Sequence, residues 1–178
     1  MPREVFEKKY LPEFVYGGID GAITTFAVVA GAVGATLSPA IILILGFANL
    51  FADGFSMAIS NYLSIKSQAE LHVRHPEYKK YIGAKHPIKT GLATFISFLI
   101  IGIIPLISFV LSIFIPSLAS NNFLYSFILT GLALSIVGAV KGIIVKKHWI
   151  RSSLETLTMG GIAAVIAYLV GYLLRGLV

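Results

Sequence analysis

The chain has 178 residues, 57% of them hydrophobic and 12% charged, with a mean hydropathy of +0.88. A soluble domain carries about 25% charged residues, so this composition excludes an ordinary soluble protein and predicts an integral membrane one. The absence of cysteine excludes disulfides, thiolate metal sites and thiol catalysis.

Residues 1–13 are polar and mixed in charge. They predict a short amphipathic helix on the membrane surface, with Val5, Phe6, Tyr10 and Leu11 towards lipid. Ala30-Gly31-Ala32 has the small residues of a signal cleavage site. The apolar run before it is too long for an h-region and contains Asp20, so it is read as a span. Five apolar runs are each near the ~20 residues that cross a bilayer: 14–37, 40–63, 90–115, 123–145 and 154–174. Ser38-Pro39 makes a tight turn, 64–89 is a polar linker, and Pro105 is expected to kink the third run. The fourth and fifth are joined by the basic link KKHWIRSS. No polar stretch is long enough to fold a second core. The expected fold is therefore an all-α integral membrane protein, a single five-helix transmembrane domain over 1–178.

The formal charge of +6 is explained by where it falls. Arg3, Lys8 and Lys9 precede the first run. Lys66, Arg74, Lys79, Lys80, Lys85 and Lys89 lie in the linker, and Lys141, Lys146, Lys147 and Arg151 flank the last link. Arg175 alone lies at the other side. The positive-inside rule predicts a cytoplasmic N-terminus and linker and an outside C-terminus. Tyr10, Tyr62 and Trp149 fit an inner aromatic belt, and Tyr125, Tyr168 and Tyr172 an outer one. The basic character thus needs no nucleic acid.

The second run carries the most informative pattern. Asn49, Asp53, Met57 and Asn61 recur every four residues and share one helix face. A polar stripe in lipid is costly unless it faces a partner or water, and an intramembrane carboxylate marks a functional site by default. Carboxylate and amide oxygens mixed with a soft thioether suit a transition metal better than Ca²⁺ or Mg²⁺. The first run offers Asp20 and Thr24, also four apart. At ~1.5 Å per residue, Asp20 and Met57 lie roughly 9 Å inside the membrane edge, with Asp53 about 6 Å deeper. Two polar stripes at matched depth predict a metal path. Desolvation there disfavours a bare carboxylate charge, so a proton can replace a departing metal. The alternative is that these side chains only join helices, as Asn often does.

Further candidates lie near the predicted mouth. Glu70, His72, His75 and Glu77 punctuate the linker, and His72 with His75 could share a divalent ion if the helix continues that far. The alternative there is a solvated linker. Glu155 begins the fifth run and could receive metal or pair with Lys141. No nucleophile–base pair or closed three-ligand metal set stands within the runs, so an enzyme is not expected.

YGGIDGAITTFAVVAGAVGA and ANLFADGFSMAISNYLSIKSQAE resemble the signature of the vacuolar iron transporter family, and RSSLETLTMGGIAAVIAYLVGYLL is similar to its last helix. The resemblance covers essentially the whole chain. It implies five transmembrane helices, a homodimer, and export of Fe²⁺, often Mn²⁺, from the cytosol in exchange for protons, with no permanently bound cofactor. It also implies that Asp20 and Met57 are transport-path residues. Asn49 stands where many relatives have glutamate, and Asp53 where many have glycine, so the acidic ligand would have moved one turn. The large cytoplasmic metal-collecting domain of eukaryotic members is replaced by 64–89, as in a short prokaryotic-type member of a plasma membrane. The contrasting expectation is a non-transporting membrane assembly subunit whose polar stripe only packs helices. Small residues at Gly17, Gly21, Ala27 and Gly31 are expected at a dimer contact, with Gly138-x-x-x-Gly142 as a rival that packing within the protomer would explain equally well.

Overall fold

A computed structural model describes residues 3–74 and 85–177, with side chains described for 10–71 and 85–177. Every regular element among them is helical. The helices are α1 (Arg3–Gly34), α2 (Pro39–Arg74), α3 (Pro87–Gly102), α4 (Ile104–Phe114), α5 (Asn122–Ile144) and α6 (Trp149–Leu174). Short 3-10 turns at Pro116–Asn121 and Arg175–Leu177 complete the described chain. Four helices are long and apolar enough to cross a membrane, or five when α3 and α4 count as one broken span. These helices define a multi-pass membrane protein.

The break falls where the sequence places it. Pro105 has no N–H to give the carbonyl four residues back, and its ring crowds that carbonyl. The helix accordingly stops at Gly102, resumes at Ile104 and turns by 48°. The bend is held from α5: Ser126 Oγ donates to the Pro105 carbonyl at 2.6 Å, and Ser108 Oγ donates to the Asn122 carbonyl at 2.9 Å. Such bonds matter in lipid, where no water can satisfy an open backbone.

The N-terminal segment differs from expectation. It is no separate surface helix, because α1 runs unbroken from Arg3 with Pro12 inside it. Tyr10 does not face lipid either; it is 8% exposed, and its hydroxyl accepts from the His86 backbone N–H at 3.3 Å. Beside it, Glu13 pairs with Lys85 at 2.6 Å, their side chains 7% and 25% exposed. This ion pair ties α1 to the chain just before α3.

Around α1 the other helices assemble, and it packs most extensively on α3 and α6. Its glycines permit backbone approach. A Cβ at Gly17 would stand 2.6 Å from the Thr94 carbonyl oxygen, and one at Gly21 2.5 Å from that of Phe98. One at Gly31 would stand 3.3 Å from the Ala167 carbonyl oxygen of α6. The three glycines of the stripe expected at a dimer contact are therefore covered within the protomer. Gly138 and Gly142 are filled likewise, by Ser152, Ser153 and Trp149 of α6. At the end away from the linker, Val29, Ala32, Ile42, Leu106 and Phe109 form an apolar core, and Phe26 stacks on Phe123 with ring centroids 6.0 Å apart.

Candidate metal path

The buried face of α2 runs through Ile42, Gly46, Leu50 and Gly54, which meet α3 and α4. Asn49, Asp53, Met57 and Asn61 each precede that face by one residue, which turns them about 100° around the axis. All four are half-buried. The stripe thus borders the α2–α3 seam. Asp20 is half-buried on α1, which packs against α2.

The other stripe residues have distinct surroundings. Thr24 Oγ1 donates to the Asp20 carbonyl at 2.9 Å, which leaves the oxygen's lone pairs able to accept. Asn61 Nδ2 donates to Thr94 Oγ1 at 2.7 Å, a direct bond between α2 and α3. The Asn49 Nδ2 atom is buried without a partner. An amide oriented by no bond can present its oxygen instead, since the two ends have the same shape.

One turn towards the linker end, a cavity of about 300 Å³ opens between α1 and α2. It is lined by Tyr16, Ser56, Met57, Ser60 and Asn61. Tyr16 is 61% exposed, and both serines are exposed. Met57 therefore lines an open vestibule of hydroxyls and lies about one helical turn from Asp53. Tyr16, Ser56 and Ser60 are the residues that sequence reasoning missed. Their signal was spacing: Tyr16 falls four before Asp20, and Ser56 and Ser60 are themselves four apart.

The mouth candidates are less gathered. α2 continues as a helix to Arg74, roughly 16 Å beyond Leu63 at ~1.5 Å per residue. Glu70 is exposed on this extension and His72 lies near its end; His75 and Glu77 fall outside the described residues. Glu155 accepts from Lys141 Nζ at 3.5 Å, the pairing that the sequence offered as one of its alternatives. Among the described residues, no three His, Asp or Glu side chains converge as a metal set. Any cation held here rests on two carboxylates supplemented by amide, thioether and hydroxyl donors.

A bundle of membrane-crossing helices with a half-buried polar stripe on α2 defines the class as a multi-pass membrane protein. The VIT family model matches residues 11–81 and 70–172, and the chain belongs to that family. The vacuolar iron transporter of Plasmodium berghei is 27% identical over 95% of this chain and 84% of its own length. That of Toxoplasma gondii is 30% identical, covering 93% of this chain and 74% of its own. Vacuolar iron transporter 1 of Arabidopsis thaliana is 24% identical over 88% and 82%. The alignment with the Plasmodium berghei protein runs over 228 positions against 178 residues here, so that relative carries inserted residues. The family is one of transporters, not enzymes.

Proposed function

We propose that this protein exports a divalent transition metal, Fe²⁺ or Mn²⁺, from the cytosol in exchange for protons. The observation that carries this reading is that α1 and α2, two membrane-crossing helices in contact, each carry a half-buried aspartate, Asp20 and Asp53. Like charges in a poorly solvated place are unfavourable unless a cation or a proton lies with them. A site of that kind can alternate between the two occupants, which is the requirement of an exchanger. The relatives' name, vacuolar iron transporter, supports the choice of metal.

In this reading metal enters at the linker end, where the hydroxyls of Tyr16, Ser56 and Ser60 replace part of its water shell. The Met57 thioether then favours a softer cation. Asp20 and Asp53, with the Asn49 amide, take the metal and release protons to the cytosol. Protons arriving from the other side displace it outwards. Glu70, His72, His75 and Glu155 would act earlier, by concentrating cations at the mouth.

The proposed orientation has the N-terminus and linker in the cytoplasm, the C-terminus outside, and a plasma membrane as the site of action. Lys66, Arg74, Lys79, Lys80, Lys85, Lys89, Lys146, Lys147 and Arg151 at the linker end support it. A homodimer is proposed as well. Its support is the vestibule: hydroxyls exposed on α1 and α2 at membrane depth are poorly matched to lipid and call for a second polar surface. The contact would run along Tyr16, Ser56 and Ser60, not along the glycines.

A second reading, a membrane assembly subunit that transports nothing, draws support from the Asn61–Thr94 bond, where a stripe residue does join two helices. Proteoliposomes loaded with an Fe²⁺-responsive dye separate the two. The exchanger predicts metal flux that accelerates with an opposing pH gradient and acidifies or alkalises the lumen in step. A folded sample that carries neither Fe²⁺ nor Mn²⁺ would establish the subunit reading.

A further inference from the structure

We infer that the groove between α1 and α5 at the linker end, which borders the metal vestibule at Tyr16, is a binding site for an anionic phospholipid. The groove has a volume of about 340 Å³, and its walls include Leu11, Val15, Tyr16 and Ile19 from α1, Ile144 at the end of α5 and Val145 just after it. Leu11 to Ile19 spans roughly 12 Å of helix at ~1.5 Å per residue, room for a stretch of acyl chain. A trough open to the bilayer loses dispersion contacts along its whole lining if nothing fills it. The one charged side chain in the lining is Lys141.

Charge decides which occupant fits. Lys141 is 33% exposed and contacts Glu155 only at 3.5 Å, with that carboxylate 50% exposed. An exposed pair of this length contributes little and is readily exchanged. Directly beyond Val145 the chain turns. Lys147 N–H donates to the Gly142 carbonyl at 2.9 Å and Lys146 N–H to that of Ile143 at 3.2 Å, with Lys146 in the left-handed region at φ 55°. Lys146 and Lys147 thus follow directly on Val145 of the lining in a closed turn, and the first turn of α6 packs on Gly142 and carries Arg151. An apolar trough ending in several cations matches an acyl chain ending in a phosphate, the arrangement by which basic pockets between transmembrane helices hold anionic headgroups. A second copy of this chain fits less well. A two-fold contact would bring a second basic rim against the first.

The test uses the purified full chain and native mass spectrometry, with phosphatidylglycerol and phosphatidylcholine of identical acyl chains. Wild type should retain phosphatidylglycerol in preference to phosphatidylcholine. Lys141→Gln should reduce that preference roughly fivefold, the equivalent of the ~1 kcal/mol that one basic residue contributes near an anionic headgroup. Glu155→Gln, which releases Lys141 from its partner, should raise it. Val15→Phe should lower the bound amount of both lipids by filling the trough, with melting curves checking that it folds. Equal retention of the two lipids by wild type would overturn the inference. So would an unchanged preference in Lys141→Gln, or a Val15→Phe protein that loses its oligomeric state while binding lipid as before. None of these readouts depends on metal flux.

Discussion

Gly17 of α1 lies against the Thr94 carbonyl of α3 so closely that a Cβ would stand 2.6 Å from that oxygen. The neighbour is backbone and cannot rotate away. Gly17→Ala should therefore lower stability by about 1–3 kcal/mol, the usual range for overpacking. Gly131→Ala is the matched control, because nothing lies within 4 Å of the position a Cβ would take. Thermal unfolding in detergent should show a clear loss for the first and none for the second. Equal melting temperatures would refute the α1–α3 contact.

Glu13 and Lys85 make a second contact at the same end of α1. Removing one partner leaves a carboxylate that is 7% exposed without its counter-charge. Lys85→Ala should cost roughly 3 kcal/mol, as broken buried pairs do. Replacing both residues with leucine should recover much of that loss, since apolar substitutes need no partner. A double variant as unstable as the single one would mean that the loss comes from packing rather than from charge.

Asp20→Asn keeps the size and hydrogen bonding of the side chain but can neither neutralise a cation nor exchange a proton. Fe²⁺ flux in proteoliposomes should vanish while the melting temperature stays near that of wild type. Asp53→Asn should weaken flux too, because one carboxylate would be left to balance a divalent ion. Proton-coupled transport at the wild-type rate in Asp20→Asn would remove that residue from the path.

Met57 allows a test of selectivity. Met57→Leu preserves volume and apolarity, a change that usually costs under ~1.5 kcal/mol in packing. Apparent Fe²⁺ affinity should fall roughly tenfold if the thioether contact is worth about 1.4 kcal/mol. Mn²⁺, a harder ion, should lose less, since oxygen ligands carry more of its binding. The ratio of the two affinities is the decisive quantity. If it does not move, Met57 is a packing residue at the vestibule wall.

Dimer geometry can be probed with single cysteines in this cysteine-free chain. Cysteines replacing Tyr16 or Ser60 should crosslink between copies, because both positions are exposed beside the vestibule. Cysteines at Gly138 or Gly142 should not, because α6 covers them. Crosslinks confined to α5 positions would move the interface elsewhere.

The apolar runs, the α3–α4 break and the recurrence of Asn49, Asp53, Met57 and Asn61 were legible in the linear sequence because each depends on local chemistry. Hydrophobic length decides whether a helix can cross a bilayer, a missing N–H decides where it breaks, and i, i+4 spacing decides which side chains share a face. Which neighbour meets that face is not local. The same spacing that aligned Asn61 with Asp53 could not reveal that Thr94 would bind its amide, or that α3 would occupy Gly17 and Gly21 instead of a second copy. Tyr10 carries the same ambiguity: an aromatic at a membrane edge can lie in lipid or under a neighbour, and His86 decides for the latter. Glu13 and Lys85 stand far apart in the chain, and each alone reads as one more polar residue near a membrane surface. Only the packing of α1 on α3 makes them a pair, because helix–helix contacts depend on the joint shape of two surfaces and a single sequence shows each surface separately.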